Sequence, residues 1–247
     1  MNARNRPGPR SHCRTACPAA AQTDTSQWKC ETCPYPKKGA TGTLDAGAGY
    51  VSDDSPTLGN YTGLNQKGAY LDLGGTVTYR GESGYYADVT ASDLGLDIRR
   101  VEAQSGREGL YNFRLGYAEI PRYFADGATT PFLGNGGNSL TLPAGFPAAT
   151  TSSMPLATTL QPIELGYKAS RFDLSGTWIG QQNFSYRVSL RRDVRDGTKP
   201  TAGSFFSTAS QLAAPVDYTT DQFEVAVSYV TPRLQATLAY QLSQFDN

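Results

Sequence analysis

Strict period-two alternation, in three separate stretches, restricts this fold more than any other feature. Phe223, Val225, Val227 and Tyr229 alternate with Gln222, Glu224, Ala226 and Ser228. After a turn containing Pro232, Leu234, Ala236, Leu238 and Tyr240 alternate with Gln235, Thr237, Ala239 and Gln241. Phe184, Tyr186, Val188 and Leu190 stand against Ser185, Arg187, Ser189 and Arg191, and Tyr111, Phe113, Leu115 and Tyr117 against Asn112, Arg114 and Gly116. Such alternation sends the two sets to opposite faces of a strand. One face is apolar and edged by aromatics, and the other is polar with isolated charges. A transmembrane β-barrel requires this division, with lipid outside, a wet lumen inside and aromatic girdles at the interfaces. A soluble β-sandwich also alternates, so connection lengths must separate the two.

Nine strands are expected, near 43–51, 68–79, 85–94, 97–104, 110–118, 171–178, 184–191, 219–229 and 234–241. Short connections fall at 80–84, 105–109, 179–183 and 230–233, and long ones at 52–67, 119–170 and 192–218. Segregation by length fits periplasmic turns at one end and outer loops at the other. Gly95-Leu96 departs from the rule, being too short for an outer loop. Between Asp126 and Glu164 run 37 uncharged residues with five Gly, five Pro and ten Ser or Thr. That composition is a loop, and Gly134-Asn135-Gly136-Gly137-Asn138 within it is a turn cluster without the frame of a phosphate-binding loop.

The expected fold class is therefore all-β, an antiparallel transmembrane β-barrel. An odd strand count and an end soon after the ninth strand predict an incomplete one, about nine N-terminal strands of a larger barrel. Residues 1–21 carry four arginines but no Leu, Ile, Val or Phe, and read as a degenerate leader or mis-assigned start. Residues 22–42 are expected to be a periplasmic segment, and 43–247 the partial barrel. Lys plus Arg and Asp plus Glu balance at 22 each, so no global field points to nucleic acid. No apolar run reaches the ~20 residues of a membrane helix, which leaves strands free to cross.

No catalytic constellation is present. The single histidine, His12, lies in the leader, so no histidine-based triad forms in the folded part and no enzyme is expected. Asp53-Asp54 reads as a solvated turn. Of Arg99-Arg100 and Arg191-Arg192, one residue each must face the lumen. Lumen-facing candidates are Asp72, Asp88, Arg114, Asp173, Arg187, Arg191 and Glu224. Cys30 and Cys33 form a C-x-x-C pair before the first strand. Covalent haem attachment requires His after the second cysteine, where Pro34 stands. A local disulfide or exposed dithiol, a thioredoxin-like redox centre and a zinc site remain open, the first favoured.

Trp28-x-Cys30-x-x-Cys33 is followed by Gly47, Gly49 and Tyr50, then Asp53-Asp54, Gly59-x-Tyr61-x-Gly63-Leu64 and Gly68-x-Tyr70. Gly106-Arg107-x-Gly109-x-Tyr111, Ile120-Pro121, Asp196-Gly197-Thr198, Asp217-Tyr218-Thr219-Thr220 and Phe245-Asp246-Asn247 complete the set. From about residue 22 to 247 this resembles the decahaem-associated outer-membrane barrels of the MtrB/PioB family. Members sheath a multihaem c-type cytochrome so that electrons cross the outer membrane. The resemblance implies a porin-like scaffold in the Gram-negative outer membrane, its N-terminus periplasmic, working in extracellular electron transfer. It also implies a periplasmic multihaem cytochrome within the barrel and an outer-surface multihaem cytochrome as a further partner. All haem would reside on those partners and none on this chain. Two departures are the leader without an apolar core and the missing C-terminal majority of the barrel. Rival functions are a diffusion porin for small solutes and a periplasmic thiol-disulfide protein using Cys30 and Cys33.

Overall fold

The computed structural model describes residues 38–147, 152–205 and 208–247, apart from the side chains of 205, 208 and 209. Cys30, Cys33 and the expected leader lie outside the described residues. The strands are β1 (Gly39–Val51), β2 (Gly68–Arg80), β3 (Tyr85–Ser92), β4 (Arg100–Arg107), β5 (Tyr111–Ala125), β6 (Thr129–Thr130), β7 (Gln161–Pro162), β8 (Leu165–Ile179), β9 (Phe184–Phe205), β10 (Thr208–Val230) and β11 (Gln235–Asp246). Nine of them form one antiparallel sheet in the order β1-β2-β3-β4-β5-β8-β9-β10-β11, and β6 pairs only with β7. Each strand of the large sheet pairs with its neighbour in sequence. The sheet is open, with β1 and β11 at its edges.

The turns between strands are tight where the sequence is short. Gln182 and Asn183 both adopt positive φ (59° and 68°), the backbone that a two-residue hairpin turn demands. Leu94 N–H donates to Leu73 O at 3.0 Å, so the link between β3 and β4 doubles back onto β2. Gly95 lies against the Leu71 carbonyl, where no Cβ could fit. This link runs from 93 to 99, longer than the expected Gly95-Leu96, because β3 ends sooner and β4 begins later than alternation suggested.

Two further differences concern strand length. β1 begins at Gly39, inside the segment expected to precede the barrel. β9 and β10 are 22 and 23 residues long, and the stretch 192–218, expected as an outer loop, is mostly paired backbone. A membrane-spanning strand needs about 9–11 residues, so this hairpin projects well past any apolar band. Among the described residues no helix is long and apolar enough to cross a membrane.

The β1–β2 connection carries a short helix, α1 (Pro56–Thr62). Ser55 caps it by accepting the Leu58 N–H at 3.3 Å, and Pro56 enters where its missing N–H costs nothing. Gly63 ends it in the left-handed conformation (φ 70°), donating to Gly59 O at 2.8 Å. A second turn of helix, α2 (Leu156–Thr159), lies in the long connection between β5 and β8.

Among the described residues no layer packs across the sheet to make a conventional core. The buried apolar side chains among them are few: Leu96, Pro121, Phe146, Leu165, Ala213, Val216 and Ala226. Leu238 is 78% exposed, Trp178 63% and Tyr240 61%. A water-soluble protein rarely leaves so extended an apolar surface bare; strands that meet lipid must.

Candidate functional site

Cross-strand partners point to the same side of a sheet, so the register sorts every side chain onto one of two faces. Tyr111–Trp178–Tyr186–Val227 and Leu115–Leu174–Leu190–Phe223–Leu242 are rows of partners on one face. At the end of the short turns this face is edged by Tyr79, Tyr85, Tyr111, Trp178, Phe184 and Tyr229. Phe184 and Tyr229 touch, their ring centroids 4.9 Å apart. Arg107 lies over the Tyr85 ring at 5.3 Å.

Four rungs along, towards the long connections, the same face turns charged. Arg192 donates two hydrogen bonds to Asp221, each 2.7 Å. Beyond it Glu119 is buried, its carboxylate 3.0 Å from Arg99 Nε and 3.6 Å from Lys168 Nζ. Lys168 also reaches Asp97 at 2.6 Å, and Asp97 accepts from the Tyr123 hydroxyl at 2.7 Å. Burial opposes the charge on Asp97, yet the Lys168 and Tyr123 hydrogen bonds outweigh it and hold its carboxyl below the ordinary value. The apolar band is thus bounded by aromatics at one end and by an ion-pair network at the other.

The opposite face is polar. The register places Asp72, Asp88, Arg114, Asp173, Arg187, Arg191 and Glu224 all on it. They are spread over six strands; Arg114, Asp173 and Arg191 line one open cavity, and the other four lie apart from it. Asp88 accepts from Arg80 and, at 3.0 Å, from Gln104. Asp173 lies over Gly116, where a Cβ would come within 2.7 Å of its carboxylate oxygens, so only glycine admits that pose. Arg191 is the cross-strand partner of Asp173, and Glu224 that of Ser189 and Gln241.

Each arginine pair divides between the faces. Arg191 and Arg100 lie on the polar one, while Arg192 meets Asp221 and Arg99 meets Glu119 on the other side. Asp54 braces its loop by accepting the Lys67 N–H at 2.6 Å. Sequence reasoning missed Arg122, Arg171, Asp193 and Arg195, which share the polar face. Arg171 stands two residues before Asp173, so its parity was available. Arg195 was hidden by the reading of 192–218 as loop.

Among the described residues no group of His, Cys, Asp or Glu is placed to hold a metal ion. The arrangement offers a sided wall, wet and charged on one surface and lipid-like on the other.

Comparison with known proteins gives two concordant matches. Residues 50–247 match the family described as outer membrane beta-barrel porin, MtrB/PioB. Over 225 residues the chain is 37% identical to "Outer membrane protein MtrB" of Shewanella baltica (strain OS185), covering 90% of this chain and 32% of that protein. The chain spans about a third of the length of this curated relative.

Proposed function

The chain belongs to the MtrB/PioB family of outer-membrane β-barrels, and from that premise we propose that it forms part of a porin-like sheath around a multihaem c-type cytochrome. One observation carries the reading: all seven of the charged residues named above lie on the face opposite the aromatic-edged apolar band. In a barrel that face is the lumen.

The mechanism is insulation and positioning. Lipid is kept from the redox chain by the apolar face, while the polar face holds the enclosed protein in place. Electrons then pass between haems carried by that protein, across the outer membrane. This chain performs no chemistry of its own in the scheme and is not an enzyme. The turn end of the sheet is periplasmic, as is the segment with Cys30 and Cys33, which act as a local disulfide or dithiol. Pro34 follows Cys33, so the pair takes no covalent haem.

The test is affinity purification of the complete barrel carrying this sequence, followed by haem staining of what accompanies it. A stoichiometric haem-staining partner is the expected result. A barrel that purifies without one, and conducts ions as an open pore in a planar bilayer, would establish the diffusion-porin reading in its place.

A further inference from the structure

Charge on the polar face is unevenly distributed around the sheet. On β5, β8 and β9 it carries Arg114, Arg122, Arg171, Arg187, Arg191 and Arg195. Only Asp173 and Asp193 accompany them on those strands. Arg171 is neutralised by Asp193 at 2.6 Å, and Arg122 lies 5.8 Å from the Phe124 ring. Arg114, Arg187, Arg191 and Arg195 are all exposed, and none makes an ion pair among the described residues. Asp173 is recessed over Gly116, so the guanidiniums stand out beyond it. On β1–β3 the balance reverses: Asp45, Asp72 and Asp88 share the face with Arg80, which is paired to Asp88.

Arg187, Arg191 and Arg195 recur every fourth residue of β9, spaced about 13 Å apart. They form a column about 26 Å long measured along the strand. Arg114 and Arg122 flank the column two strands away. Unpaired guanidiniums on a wet surface cost little, but inside a barrel they sum to a positive potential that low-dielectric walls focus.

We propose that this arginine column is the docking strip for an acidic surface of the protein enclosed by the barrel, and that it fixes the occupant's rotation about the barrel axis. The inference rests on the sheath reading above. Its physical basis is charge complementarity: an occupant turned by the five or six strands that separate β9 from β2 and β1 would set its carboxylates against Asp72 and Asp45 instead. Like-charge contact disfavours that alternative, so orientation is selected by repulsion as well as attraction.

The experiment uses the complete barrel and whatever haem-staining protein purifies with it, at about 50 and 150 mM salt. Heat-modifiable migration verifies barrel assembly for each variant. The double change Arg114→Glu with Arg191→Glu should cut recovery of the haem protein at least tenfold at the higher salt. Arg114→Lys with Arg191→Lys keeps the charge and should retain it, as should Thr41→Glu, which adds a carboxylate on the same face outside the strip. Equal recovery by assembled wild type and charge-reversed barrel would overturn the docking strip and leave the sheath standing. If the wild-type barrel carries no haem protein, sheath and strip both fail. Anion-selective conductance of that empty barrel, lost on charge reversal, would instead assign the arginines to solute passage.

Discussion

The carboxamide of Asn60 pairs with both backbone groups of Tyr123: its nitrogen donates to Tyr123 O at 2.9 Å, and its oxygen accepts the Tyr123 N–H at 2.6 Å. β4 has already ended at this height, so β5 would otherwise expose an unpaired edge above Ala118. One side chain from α1 thus stands in for a missing strand residue. Asn suits the role because it offers a donor and an acceptor in one plane, as a peptide does.

Replacing Asn60 with Ala should therefore free the upper part of β5. Each part-buried backbone group left unpaired costs about 1–3 kcal/mol. Hydrogen exchange at Tyr123 should quicken by ten-fold or more in an assembled barrel, while Leu115 stays protected. Asn60→Asp keeps the acceptor and loses the donor, and should fall between. Unchanged exchange at Tyr123 in Asn60→Ala would mean that the edge is satisfied elsewhere.

Neighbouring positions on β9 separate the two faces. In a complete barrel, Val188→Arg sets a charge against lipid, at a cost of ~2–4 kcal/mol near the midplane. Ser189→Arg turns to the polar face and should assemble normally. Folded fraction, read by heat-modifiable migration after urea titration, tests the pair. Equal loss from both substitutions contradicts the register.

Asp97 sets an acid limit on the loop network. Its folded-state pKa is below that of the unfolded chain, so the native form binds the proton less readily. The contribution to stability is therefore complete above the unfolded value of about 3.9. It is lost as pH falls through the depressed native value. Proteolysis within 93–99 should stay slow from neutrality down to about pH 4 and accelerate below it. Asp97→Asn should show the fast rate already at neutral pH. An onset in the wild type near pH 6 would point to a different group.

The nine-stranded sheet by itself should not insert stably. Among the described residues β1 and β11 each have a bare edge, and hydrocarbon cannot satisfy unpaired N–H and C=O groups there. Each costs several kcal/mol against a typical margin of ~5–15 kcal/mol. The 247-residue polypeptide, refolded alone with liposomes, is expected to aggregate or be digested. Protease-resistant, heat-modifiable insertion would show that the edges close on each other or on another copy.

Alternation made the spanning strands legible because lipid and water impose opposite demands on successive residues. Phe184 to Leu190 and Phe223 to Tyr229 could hardly be read otherwise, and their parity placed Arg187, Arg191 and Glu224 on one surface. Where that demand stops, so does legibility. Beyond Arg192 the hairpin of β9 and β10 is paired backbone without an alternating pattern, and Gly197 and Pro200 within it read as breakers. The bond from Asn60 to Tyr123 crosses 63 residues and leaves no local trace. Nor could Arg80 be joined to Asp88 before the β2–β3 register was known, although both stood in expected strands or at their ends.

The limits of the apolar band fix a thickness. From Phe184, at the aromatic edge, to Arg192, where charge begins, is about 26 Å along the strand, or about 20 Å across the membrane at a tilt of 35–45°. Typical bilayers have hydrocarbon cores near 30 Å, and the bacterial outer membrane is thinner. Hydrophobic mismatch would then penalise residence in a thicker bilayer, which must either thin locally or bury the Arg192–Asp221 pair. The row of side chains that ends the band thereby acts as an address, favouring the membrane whose depth it matches.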